Sequence, residues 1–128
     1  MKVTEENYVD KAEQVINKLC QKKGKDGKPD MVSTSKLRNL LSMTADIYNE
    51  VMRQTSNELK TETCERITYL RVRFIYESGK DKGVRYLVEQ AGLLEMLQEI
   101  NGDRKRYILF SRYMEALVAF QKYLVKND

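Results

Sequence analysis

Between Tyr8 and Val125, apolar side chains return every three or four residues, and one proline and six glycines are the main breakers in 128 residues. A 3.6-residue period with so little punctuation commits the chain to helices. No segment alternates with period two, no hairpin signal separates two strand-like runs, and no heptad or internal repeat is sustained. The reading is an all-α fold: a single domain over residues 1–128, built as a bundle of about five helices with short connections.

The breakers divide the chain. A first helix is expected from about Glu5 to Gln21, carrying Tyr8, Ala12, Val15, Ile16 and Leu19 on one face. Residues 22–32, beginning KKGKDGKPD, read as a flexible basic loop. The second helix should start at Ser33 or Thr34 and end near Gln54, with Leu37, Leu40, Leu41, Thr44, Ile47 and Val51 facing inward. The third should run from about Glu58 to Ser78 and stop at Gly79. It is apolar on two sides: Ile67, Leu70 and Phe74 on one, Tyr69, Val72 and Tyr76 on the other. Such a helix belongs inside a bundle, or between a core and another subunit. The fourth is expected from Val84 to Ile100 despite Gly92. After the tight Asn101-Gly102-Asp103 connection, with Asp103 as a cap, comes a last helix. Ser111, Arg112, Glu115 and Lys122 should form its narrow polar stripe.

The residue inventory narrows the function. Histidine is absent, so imidazole acid/base chemistry, His triads and His metal ligands are excluded. Cys20 and Cys64 are far apart and lack the spacing of a zinc or redox motif, which leaves them as thiols packed on helix faces. No phosphate-binding glycine motif occurs. The carboxylates are scattered, so no catalytic pair stands out and an enzyme is not expected, nor is a cofactor. No apolar run approaches the roughly 20 residues of a membrane span, and the polar start MKVTEENYVD is unlike a signal peptide. A cytoplasmic protein with no membrane partner is the expectation.

The net charge of +4 permits an anionic partner. Placement matters more. The first turn of a helix favours acids, yet "VSTSKLRNLL" puts Lys36 and Arg38 there. Exposed, solvated cations would explain this. So would an anion seat, in which free N–H groups, the hydroxyls of Ser33, Thr34 or Ser35 and the two cations converge on one phosphate. Arg71 and Arg73 fall in the seams of the two-sided third helix; a carboxylate such as Glu77 or Glu115 could hold Arg73, while two such pairs would be costly. Lys80, Lys82 and Arg85 cluster around Gly79 and Gly83, and Arg104, Lys105 and Arg106 read as an exposed run. The tyrosines mostly sit at core spacing, so contacts to nucleic acid would go to phosphate and sugar rather than to stacked bases.

Three stretches in register carry a resemblance: "TSKLRNL" at 34–40, "YLRVRFIYESGK" at 69–80 and "RYMEALVAF" at 112–120. Together they closely resemble the small helical subunit of the type III-A CRISPR effector, the Csm complex, over roughly residues 33–123. One position departs, since Lys80 stands where the family often has Arg; a lysine keeps the charge but not the bidentate grip on phosphate. The resemblance implies a non-catalytic helical bundle, several copies of which stack beside the backbone subunits along the channel where target RNA pairs with CRISPR RNA. Target cleavage would belong to the backbone subunits, and nucleotide-cyclising and DNA-cleaving chemistry to the large subunit. Base pairing would read sequence while the protein holds phosphate and shape. Carried onto this chain, the RNA-contacting residues would be Ser35, Lys36 and Arg38, followed by Arg71, Arg73, Lys80 and Arg112. The alternative is a helical module that binds only protein.

Overall fold

A computed structural model describes residues 2–21 and 31–125. Among these residues the chain forms six helices: α1 (Tyr8–Gln21), α2 (Thr34–Arg53), α3 (Thr61–Lys80), α4 (Lys82–Ala91), α5 (Leu93–Ile100) and α6 (Arg104–Leu124). The expected loop at 22–32 lies outside the described residues up to position 30. Val32, at its end, is buried in the core, and its carbonyl accepts a hydrogen bond from Gln121 Nε2 of α6.

The sixth helix arises at Gly92. Its φ of +69° is left-handed, a conformation that glycine adopts without the steric cost of a Cβ, and it ends α4 and begins α5 while the apolar period continues through. Gly79, by contrast, does not stop α3. It is not among the positive-φ glycines, and the helix continues to Lys80. The stop is Asp81, which turns extended and caps the next helix, its Oδ1 accepting from Val84 N at 2.9 Å.

Two helices begin later than their apolar pattern suggests. Thr4 and Asn7 exchange side-chain and backbone hydrogen bonds of 2.7 and 3.2 Å, holding a turn before α1. Before α3, Leu59 N donates to Gly102 O and Arg104 N to Asn57 O, so residues 57–59 lie extended against the α5–α6 connection. Asp103 then caps α6, accepting from Lys105 N and Arg106 N.

The core is organised around α6, which packs on α1, α2 and α5. Tyr107, Phe110, Tyr113, Met114 and Leu117 of α6 are buried. They meet Leu37, Leu40, Ile47 and Val51 of α2, Ile16 and Leu19 of α1 and Phe74 of α3 in one cluster. The Tyr107 hydroxyl donates to Thr44 O at 2.8 Å and the Tyr113 hydroxyl to Ala91 O at 3.0 Å, so both polar tips are satisfied inside. Ser111 is also buried, which removes it from the expected polar stripe of the last helix. That helix is apolar over most of its circumference because it is the centre of the bundle.

Candidate nucleic-acid interface

The end of α3 and the starts of α2 and α4 meet at one corner. Gly83, in the first turn of α4, allows this approach: a Cβ there would lie 2.9 Å from both Cα and N of Val32. The N-terminal tips of α2 and α4, both partly positive, are thereby set side by side. Neither helix has an acid in its first turn. Asp81 is the carboxylate between them. It caps α4 and forms an ion pair with Lys36 of α2. Partial burial pushes its pKa up, but the bonds from Lys36 and Val84 N outweigh that and hold it below the ordinary value.

Further cations lie along the neighbouring turns of α3 and α4. Arg73 and Lys80 share Glu77 at 3.2 and 3.7 Å, and both lie over the ring of Tyr76, at 5.2 and 4.9 Å from its centroid. Lys82 sits over Tyr86 at 5.6 Å, and Arg85 reaches Glu89 at 3.4 Å. Five cations, Lys36, Arg73, Lys80, Lys82 and Arg85, thus face three carboxylates, Glu77, Asp81 and Glu89. The Lys36, Lys80 and Arg85 side chains are more than half exposed. Ion pairs with such solvent access contribute about 0–1 kcal/mol each, so a phosphate can compete for these cations.

The anion seat expected at the tip of α2 is not assembled as drawn from the sequence. Ser33 caps the helix itself, its Oγ accepting from Lys36 N at 3.3 Å, and the Oγ atoms of Ser33 and Ser35 are 3.4 Å apart. Lys36 turns to Asp81. Arg38, two residues on, is about 200° away around the helix and faces the opposite flank, exposed and without an ion pair among the described residues. Lys36 therefore lies against Asp81, the residue after Lys80 at the end of α3, while Arg38 lies apart from it.

Arg71 and Arg73 are likewise on different flanks of α3. Arg73 borders a groove toward α2, with Met43, Asp46 and Tyr69, and its partner is Glu77, one of the two expected. Arg71 opens toward α5. Arg112 is exposed on α6, about 180° around the helix from the buried Gln121, so it faces away from the core.

The structure sets further residues beside the sequence-based set and gives one cation of the run expected to be exposed a structural role. Lys82 and Arg85 sit in the first turn of α4, which the Gly83–Val32 approach and the Asp81–Lys36 pair bring beside the start of α2; their clustering is visible in sequence, this placement is not. Arg104 is a structural residue: its Nε donates to Gln54 O at 2.7 Å and Val51 O at 3.3 Å, closing the last turn of α2. Three tyrosines escape the core. Tyr69 and Tyr76 are 62% and 53% exposed on the outer face of α3, next to Val72 and Ile75, and Tyr123 is exposed on α6. Both cysteines are half-buried and free. Among the described residues no group of three or more acidic or thiol side chains is placed to hold a metal, and no helix is long and apolar enough to cross a membrane.

The family model "Csm2 Type III-A" matches residues 9–127. The chain is 41% identical over 128 residues to the CRISPR system Cms protein Csm2 of Mycobacterium tuberculosis, covering all of this chain and 99% of that one. It is 42% identical over 127 residues to the protein of the same name from Streptococcus thermophilus, covering 98% of each. The Enterococcus italicus protein of that name is 29% identical over 124 residues. A family match of this span, with two full-length relatives above 40% identity, establishes that the chain belongs to the Csm2 family of type III-A CRISPR systems.

Proposed function

We propose that this chain is a non-catalytic small subunit of a type III-A CRISPR ribonucleoprotein, holding the phosphate backbone of paired CRISPR RNA and target RNA at the corner where α2, α3 and α4 meet. Family membership supports the assembly. The observation that carries the RNA reading is the corner itself: two positive helix tips and five cations around three carboxylates, none of which is sealed from solvent. Base edges are not read in this arrangement. An A-form duplex presents phosphates to the rim, while guide–target pairing supplies sequence. Lys36, Lys80 and Lys82 act as point charges and Arg73 as a forked donor. Ser35 is near enough to offer a hydroxyl. Arg38 and Arg112 would meet RNA only on other sides of the subunit, as in a stack of copies where one duplex passes several faces.

The outer face of α3 favours a protein contact alongside the RNA. Tyr69, Val72 and Ile75 form an exposed apolar strip next to the rim, suited to a neighbouring copy or a backbone subunit. The alternative, a module that binds only protein, would use this strip and leave the corner without RNA.

Equilibrium titration of target RNA into the assembled complex, which already holds CRISPR RNA, at several salt concentrations, tests the proposal. Replacing Arg73, Lys80 and Lys82 by Ala should weaken binding equally for unrelated guide sequences. It should also flatten the plot of log K against log salt by about one unit for each phosphate no longer neutralised. An unchanged slope would refute the RNA role of the corner.

A further inference from the structure

The flank of α3 turned away from the cationic corner opens a second groove, of about 760 Å³, against the end of α5. Ile67 and Leu97 line it together with Thr68, Gln98 and Asn101, and Arg71 stands at its side. The Arg71 Nε is buried, yet it hydrogen-bonds to nothing among the described residues. Buried donors are almost always satisfied in folded proteins, and a charged one left open is the costliest kind.

We propose that this groove docks a carboxylate-bearing segment of another protein subunit, with the Arg71 guanidinium gripping the carboxylate. The charge fits: Arg71 has no carboxylate partner among the described residues, and a guanidinium matches a carboxylate with two parallel hydrogen bonds. The rest of the lining suits a peptide better than a nucleic acid strand. Ile67 and Leu97 offer apolar surface, and the amides of Gln98 and Asn101 can bond to peptide backbone. Apart from Arg71 the groove has one cation, Lys60, and it includes the carboxylate of Glu58, which repels phosphate. A strand-tracking RNA site needs an array of cations, which the opposite corner has and this groove lacks. The inference rests on the chain working inside a multi-subunit assembly, and it does not depend on the corner touching RNA.

The test is photo-crosslinking in the complete ribonucleoprotein, with p-benzoylphenylalanine in place of Gln98. The expected adduct maps to an Asp- or Glu-containing segment of another protein subunit. Arg71→Gln should reduce its yield at least tenfold, with the thermal unfolding of the subunit unchanged. Arg71→Glu combined with an acid-to-Lys change in the crosslinked segment should restore it. If Arg71→Gln fails to fold, amidating the partner's acid, with Arg71 intact, should give the same tenfold loss. Adducts on RNA, adducts insensitive to both changes, or no adduct in an intact complex would each overturn the proposal. Failure of the RNA role of the corner is read separately, from the salt slope, and would leave the crosslink in place.

Discussion

Gly83→Ala sets two effects of opposite sign against each other. Gly83 lies in the first turn of α4, and alanine is the better helix former by about 1 kcal/mol in a helix interior. Propensity alone therefore raises stability. Packing opposes it. The added Cβ would sit 2.9 Å from Val32 Cα and N and 3.1 Å from Met31 C, where ordinary contact begins near 3.4 Å. All three atoms are backbone, so no side chain can swing aside. The Met31–Val32 segment must move by about 0.5 Å, while Val32 is buried and tied to Gln121 through its carbonyl. Overpacking of this kind costs about 1–3 kcal/mol, more than an N-terminal position gains from propensity. The net expectation is a loss of about 1–2 kcal/mol, or a Tm lower by roughly 3–10 °C for a chain of this size. Thermal unfolding followed by circular dichroism at 222 nm measures it. A raised Tm would refute the claim that the Met31–Val32 segment leading into α2 is in tight backbone contact with the start of α4, and with it the reason Lys36 reaches Asp81.

Gly92→Ala should destabilise by about 1–2 kcal/mol, because the left-handed φ of +69° that divides α4 from α5 strains any side chain; urea unfolding measures it, and a neutral result would mean that the junction can straighten into one helix. Asp81→Asn keeps a cap but loses the pair with Lys36, so at neutral pH it should cost less than about 1 kcal/mol. Since the Asp81 pKa is lowered in the folded state, its contribution is present above the ordinary value of 3.8 and is lost as pH falls through the folded value. The variant should therefore show a shallower acid destabilisation than the parent, and an identical acid limb would contradict the pairing. At the alkaline end, burial pushes the Tyr113 phenol up to about 12 from 10. The unfolded chain then releases its proton first, and stability should fall by about 1.4 kcal/mol per pH unit between pH 10 and 12 on account of this group. Tyr113→Phe should remove that share of the slope in denaturant titrations across the range.

The fold class could be read from the sequence because a 3.6-residue apolar period survives nearly every local accident. What it concealed were decisions made by single residues through distant contacts. Gly79 and Gly92 look alike in sequence, but only Gly92 turns left-handed, and the helix after Gly79 ends instead at an aspartate that caps its successor. The late start of α3 depends on Leu59 bonding to Gly102, across a gap no local propensity reports. The site was legible as types and not as a place. Arg73 and Lys80 share Glu77, and Lys36 pairs with Asp81 just beyond Lys80, which no spacing in the sequence reports. Arg38 and Arg71, each two positions away from one of them, are carried to other flanks by the helical rotation itself. Lys82 and Arg85 gained their place from the Gly83–Val32 contact, which only the tertiary structure reveals. Tyr69 and Tyr76 share the spacing of core residues, yet they face outward because α3 is apolar on two sides and the bundle covers one.

The central claim is that RNA lies against the corner formed by α2, α3 and α4. The most direct measurement replaces uridines of the target with 4-thiouridine, irradiates the assembled complex and maps the adducts by mass spectrometry. Crosslinked peptides spanning residues 33–38 and 73–86 are expected at every guide sequence, and they should disappear when Arg73, Lys80 and Lys82 are replaced by Ala. Adducts confined to other subunits, or to the α5 side of this one, would contradict it.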